Sequence, residues 1–333
     1  VSIAGPAPDF ATRYRAPRWL PGGNLQTIWA ATLARPQLTL AGPLQRERWT
    51  CPDGDFIDVD HQPAPNGALA RRLVLFHGLE GSSASQYARA FAAVAAERGW
   101  AYSVPHFRGC SGEINRAPRA YHSGDHEEIG WILARLRAQS PAPLLVVGVS
   151  LGGNALLRWA EEAGASAAST AAAVAAVCAP VDLAAAGRAI DRGFNRAVYA
   201  RMFLATMKPR ALARLDRFPG LFDRARLVAA RTLYDFDNVF TAPLHGFRDT
   251  ADYWARASAK PLLAQIRIPA LLLNAHNDPF VPVDSLPAPG QVGRFVTLWR
   301  PRQGGHVGFP AGRLPGHTLA MPQAVADWLQ AQA

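Results

Sequence analysis

Residues 144–152 read Leu-Leu-Val-Val-Gly-Val-Ser-Leu-Gly, an apolar run of strand length that stops at a glycine, presents one serine and passes into a helical pattern from Asn154 to Glu162. Few folds accept that junction. A β-branched, leucine-rich run of this length is a strand buried on both faces, and the serine then sits on a sharp strand-to-helix turn. The turn in Gly148-Val149-Ser150-Leu151-Gly152 is tight enough that a Cβ at either glycine would clash, and Gly153 relieves the same crowding as the helix leaves.

The rest of the chain repeats the rhythm. Leu73–Phe76, Tyr102–Val104 and Ala173–Cys178 read as further strands, with helical patterns at Tyr87–Arg98 and from Asp125 to Arg137. The second helix opens on Asp125-His126-Glu127-Glu128, which has the form of a capping box. From about Ala184 to Ala255 the pattern is helical, with loop signals at Lys208-Pro209, Phe218-Pro219-Gly220 and Ala242-Pro243. Strands return at Ala270–Asn274 and Arg294–Trp299, and Gln323–Gln330 reads as a closing helix. Strand and helix in alternation predict an α/β fold with a mostly parallel central sheet flanked by helices. The expected organisation is an N-terminal arm over residues 1–50, a core of 51–183 and 256–333, and a helical cap insertion over 184–255. An antiparallel pair is expected around Arg46–Thr50 and Phe56–Asp60.

Composition excludes several classes. With 49% hydrophobic residues in 333, the chain is neither disordered nor collagenous. Its three cysteines, Cys51, Cys110 and Cys178, form no Cys-x-x-Cys pair, so neither a disulfide framework nor a zinc ribbon is expected. No secretory signal or membrane span is legible, and the expected location is cytoplasmic. The formal charge of +10 raises the question of a polyanionic partner.

A serine hydroxyl needs a base to take its proton, and the base needs an orienting carboxylate. Asp278 follows the strand Ala270–Asn274 in Asn274-Ala275-His276-Asn277-Asp278-Pro279. His306 follows the next strand in Gln303-Gly304-Gly305-His306-Val307-Gly308. The order Ser150, Asp278, His306 is the one that a serine elbow uses. Asp182 and Asp284 compete as the acid and His276 as the base, and Asp278 is preferred for its strand-end position. Two backbone N–H groups should hold the oxyanion. Leu151 supplies one. The loop His77-Gly78-Leu79-Glu80-Gly81-Ser82-Ser83 supplies the other through Leu79, with Glu80 as the alternative; the Glu80 carboxylate should then turn away and find a partner. His122 and His126 are four apart, but the turn between them keeps them off one helix face, so no metal is expected, and no cofactor. His245 is either a pocket residue or a surface one.

These features, taken with Asn24-Leu25-Gln26-Thr27, Pro52-Asp53-Gly54-Asp55, Phe107-Arg108-Gly109-Cys110-Ser111-Gly112-Glu113 and Tyr234-Asp235-Phe236-Asp237, resemble the YheT-like family of the α/β-hydrolase superfamily, whose members include yeast ethanol acyltransferases and mammalian lipid esterases. The resemblance spans nearly the whole chain. It implies an α/β-hydrolase fold and hydrolysis of esters or thioesters of lipid-like acyl groups, with Ser150, Asp278 and His306 as the triad. Acyl transfer to an alcohol is the alternative, although the His-x-x-x-x-Asp motif of some acyltransferase relatives does not occur here. A non-catalytic binding protein of the same fold is a third reading.

The charge is local. Between Arg188 and Arg231 stand eleven basic residues and three acidic ones, so the excess belongs to the expected cap. Arg188, Arg192 and Arg196 would form one stripe if the segment is a continuous helix. Such a stripe is either a solvated arginine face or one that draws an anionic membrane surface, in peripheral contact, or acidic substrate head groups to the mouth of the site; no nucleic-acid partner is expected. Tyr199, Met202, Phe203, Leu204 and Met207 recur at helical spacing, as core packing or as acyl contacts.

Overall fold

Leu144 and Val146 of strand β5 (Leu144–Val149) face one hydrophobic core, and Leu145, Val147 and Val149 face another, the two-residue period of a strand buried on both sides. The computed structural model describes residues 10–34, 42–65, 70–140 and 142–333. The remaining strands are β1 (Gln45–Thr50), β2 (Phe56–Gln62), β3 (Arg72–Phe76), β4 (Ala101–Pro105), β6 (Ala171–Val177), β7 (Ala270–Leu273) and β8 (Val296–Trp299). Their order across one sheet is β1-β2-β4-β3-β5-β6-β7-β8. Strands β1 and β2 pair antiparallel, as do β2 and β4, and every other neighbour pair is parallel. Parallel neighbours need crossovers, and the crossovers are helices.

On one face His126–Ala138 presents Ile129, Ile132, Leu133 and Leu136, and Leu151–Ala163 presents Leu156, Leu157 and Ala160. On the other, Gln86–Glu97 presents Phe91 and Val94, and Ala320–Ala331 presents Val325 and Leu329. Each of these branched or aromatic side chains, fully buried, contributes roughly 1.5–3 kcal/mol. Between β6 and β7 the chain leaves the sheet for the helices Leu183–Ile190, Arg201–Arg217, Arg224–Ala229 and Thr250–Ala257, and Leu204 and Leu227 of this segment make a separate apolar cluster with Phe236 and Phe240 from the helical turns Leu233–Phe236 and Asp237–Thr241. Of the expected N-terminal arm, residues 1–9 and 35–41, Pro36 among them, lie outside the described residues. Its helix Gly23–Thr32 packs at the carboxyl edge of β7 and β8 through Gln26 and Thr27.

Three local expectations fail for identifiable reasons. Asp125 stands at the N-cap of its helix but makes no cap hydrogen bond. Its carboxylate accepts instead from Arg119, and Glu128 turns inward to Arg108. Neither Ala242-Pro243, in the helical turn Ala242–Leu244, nor Lys208-Pro209 is a loop; Pro209 lies inside the helix Arg201–Arg217. Both Pro209 and Ala205 are on its exposed side, where water can take the carbonyl that proline leaves without a donor. The helix is likewise not continuous from Arg188 to Arg196. It stops at Asp191, whose carboxylate accepts the N–H groups of Leu233 and Tyr234, and it restarts at Gly193, whose φ is 50°.

Candidate active site

Ser150 occupies the turn between β5 and the helix Leu151–Ala163 with φ 54° and ψ −119°, a conformation that L-residues adopt only under constraint. The constraint is steric. A Cβ on Gly152 would come 2.6 Å from the Phe76 carbonyl oxygen, and one on Gly148 the same distance from Gly153 Cα. The elbow is therefore wedged between β3 and its own helix, and Ser150 N–H donates to the Val177 carbonyl at 2.8 Å. The other non-glycine residues with positive φ are Glu80, Cys178, Val307 and Phe309, among the described residues, all on segments that meet at this turn.

Asp278 and His306 come to the same place from the ends of β7 and β8. His306 Nε2 is 3.0 Å from Ser150 Oγ, and Nδ1 is 2.9 Å from Asp278 Oδ2 and 3.1 Å from Oδ1. A proton on Nδ1 donates to the carboxylate, which leaves Nε2 free to accept from the serine hydroxyl. The Asp278 side chain is sealed from solvent, and its Oδ1 also accepts the N–H groups of Phe280 and Val281 at 2.8 and 3.2 Å. The competing groups are elsewhere. Asp182 caps the helix Leu183–Ile190 by accepting from Ala185 N–H, Asp284 is exposed in a short turn, and His276 points to solvent.

Leu79 and Leu151 line the cleft beside Ser150, and neither backbone N–H has an acceptor among the described residues. The Glu80 N–H, by contrast, donates to the Tyr121 hydroxyl at 3.0 Å. Tyr121 also donates to Glu80 Oε1 at 3.0 Å, and Arg210 meets Oε2 at 3.0 Å, so the carboxylate is drawn off the serine. His77, under the same loop, donates from Nδ1 to the Gly78 carbonyl and accepts the Phe107 N–H on Nε2. Its complete burial pulls its pKa down to about 3, so it is a neutral strut.

The histidine loop is held by residues to which its sequence assigns no role. Thr27 Oγ1 accepts the N–H of His306 at 2.8 Å, Asn277 Oδ1 that of Gly305 at 3.0 Å, and Gln26 Oε1 that of Gly304 at 2.9 Å. Asn277 and Gln26 are themselves joined at 3.0 Å. The Asn24-Leu25-Gln26-Thr27 motif signalled these positions without saying what they bind.

The cleft over Ser150 encloses about 1190 Å³, its open mouth included. Leu183, Ile190, Phe203, Met207, Phe236 and Phe240 from the helical segment between β6 and β7 supply much of its apolar wall. Of the stripe seen in the sequence, Phe203 and Met207 face the cleft, Tyr199 and Leu204 are buried, and Met202 faces solvent. His122 is also in the wall, packed on the ring of His245 at 4.6 Å rather than paired with His126. The His245 ring stands between the Thr241 carbonyl of its own segment and the Ala120 carbonyl of the core, at 2.7 and 2.9 Å. Among the described residues, metal-ligand spacing occurs only at Cys178, Asp278 and His306. Burial pushes the Cys178 thiol well above its ordinary range, so it stays protonated.

Sheet order and serine elbow together define an α/β hydrolase, and the profile described as alpha/beta hydrolase fold matches residues 71–312. YheT of Escherichia coli (strain K12), provisionally named an esterase, is 39% identical over 85% of this chain and 84% of its own length. The chain belongs to this YheT-like family of α/β hydrolases. Mouse Phospholipase ABHD3 is 28% identical over 92% of the chain and 77% of its own. Among solved structures, an esterase from Exiguobacterium antarcticum superimposes with a TM-score of 0.56 at 14% identity, over 86% of this chain and all of that one.

Proposed function

We propose that this protein hydrolyses carboxylic esters, and by the same chemistry thioesters, of lipid-like or medium-chain acyl groups through an acyl-enzyme on Ser150. The observation that carries the reading is the line from Ser150 Oγ through the His306 ring to the sealed Asp278 carboxylate, at 3.0 and 2.9 Å, opening into an apolar cleft. His306 takes the Ser150 proton as Oγ attacks the acyl carbonyl, and Asp278 stabilises the imidazolium that results. The oxyanion is received by the two unengaged N–H groups, Leu79 and Leu151. His306 returns the proton to the departing alkoxide or thiolate. Water then enters by the same base and releases the acid. Esterase and phospholipase names among the relatives favour esters over other acyl compounds.

Residues 184–255 act in this account as a cap that shapes the acyl site. The cap also carries a surface suited to an anionic bilayer. Phe194, Val198 and Met202, four apart, are 54%, 36% and 52% exposed, and Arg192, Arg196 and Arg201 stand exposed among them. An apolar row bordered by guanidinium groups is the pattern of a helix that lies in a membrane interface. No helix of the described residues is long and apolar enough to cross a membrane. The test of the function is hydrolysis of a series of nitrophenyl acyl esters by the purified chain. Turnover that rises with acyl length to a medium-chain optimum supports it, and no turnover of any member refutes it.

A further inference from the structure

Three guanidinium groups line the cleft over Ser150: Arg108, Arg210 and Arg214. Two are paired. Arg108 Nη1 meets Asp53 and Asp55 at 2.7 and 3.0 Å while its Nε meets Glu128 at 2.6 Å, and Arg210 meets Glu80 at 3.0 Å. Arg214, on the helix Arg201–Arg217, has no carboxylate within ion-pair distance and no hydrogen-bond acceptor among the described residues, although it is only 5% exposed. Its Nε is shut away from solvent without a partner. Nη2 lies by Gly109, where an added Cβ would stand 3.7 Å from it, and the guanidinium carbon is 5.9 Å from the centre of the Phe240 ring.

The nearby acids are committed. Asp55 acts on Arg214 through space, but its oxygens are taken by Arg108 and by the N–H groups of Phe56 and Arg116. The two carboxyl groups in the cleft wall are also engaged, Glu80 by Tyr121 and Arg210, and Asp237 by the Thr241 hydroxyl and the Trp254 indole. Burial lowers the Arg214 pKa, the direction taken by a cation removed from water without its counter-ion. A charge held so is unfavourable in the empty protein and is relieved by an anion that enters the cleft.

We infer that Arg214 is an anion-recognition residue of the substrate cleft, holding the phosphate or carboxylate of an amphiphile whose acyl ester lies at Ser150. The inference rests on the ester-hydrolase reading and deepens it, since it makes the substrate an anionic acyl ester rather than a neutral one. The planar fork of a guanidinium matches two oxygens of either group.

The test reads binding, so it does not depend on turnover. Displacement of Nile red from the purified full chain is measured with octyl phosphate, octanoate, octanol and inorganic phosphate, for wild type, Arg214→Met and Arg214→Lys. Octyl phosphate or octanoate should bind at least about ten-fold more tightly than octanol to wild type, the difference expected of a charge-assisted hydrogen bond. The preference should survive in Arg214→Lys and vanish in Arg214→Met. Which of the two anions binds tighter assigns phosphate or carboxylate. Equal binding of the anions and octanol to wild type, a comparison that needs no variant, overturns the inference. So does a preference that persists in folded Arg214→Met, or inorganic phosphate competing as well as octyl phosphate. A chain that selects anions through Arg214 but cleaves no ester refutes the hydrolase reading alone, and one that cleaves esters without anion preference refutes this inference alone.

Discussion

The hydroxyl of Thr27 accepts the backbone N–H of His306 at 2.8 Å, across 279 residues of sequence. Thr27 donates in turn to the Gly23 carbonyl at 2.7 Å, so the position of the imidazole is set by a helix near the start of the chain. The consequence is measurable. Thr27→Val keeps the shape and removes the acceptor, and kcat should fall by about 10- to 100-fold with KM little changed, because a misplaced base is felt in the transition state. Thr27→Ser should restore most of the rate. Equal kcat in wild type and Thr27→Val would show that the arm is only packing.

Tyr121 holds the Glu80 carboxylate from one side and Arg210 holds it from the other. Tyr121→Phe loses one of these bonds and also leaves the Glu80 N–H without its acceptor. The loop carrying Leu79 should loosen and a carboxylate should approach the developing oxyanion, which lowers kcat by about ten-fold or more. Steady-state kinetics on a neutral ester checks this. A loss confined to KM would mean that Tyr121 acts only on binding.

Asp237 is half-buried in the cleft wall, and desolvation pushes its carboxyl up to about 6 despite the bonds from Thr241 and Trp254. The folded protein therefore binds this proton more tightly than the unfolded chain does. Its contribution to stability is complete below about pH 4, where an unperturbed aspartate titrates, and is lost as pH rises through about 6. Thermal unfolding at pH 5 and pH 7.5 should show wild type losing about 1.4 kcal/mol more than Asp237→Asn over that interval. Identical pH dependence in the two proteins would contradict the assignment.

Replacement of Phe194, Val198 and Met202 by serine should abolish co-sedimentation with vesicles containing phosphatidylglycerol while a water-soluble ester is still cleaved at the wild-type rate. Wild-type binding should weaken with salt, as the exposed Arg192, Arg196 and Arg201 are screened. Binding that is indifferent to lipid charge and to salt would remove the membrane from the account.

What the sequence made legible was local or periodic. Strand β5, the serine turn and the following helix could be read because their signals lie within one short run, and Asp278 and His306 because each follows a strand. Pro209 was misread as a loop because its tolerance depends on which side of the helix faces water. The basic stripe failed at Asp191, whose partners Leu233 and Tyr234 are some forty residues away. The hold of Gln26 and Thr27 on the histidine loop and the solitude of Arg214 are properties of distant segments brought together. No spacing rule encodes them.

The central claim is that Ser150 is the nucleophile, and covalent labelling tests it most directly. Wild-type protein treated with a fluorophosphonate probe and examined by peptide mass spectrometry should carry the label on Ser150, and folded Ser150→Ala should carry none. Wild-type protein that is folded yet unlabelled, or label that persists in Ser150→Ala, would contradict the account.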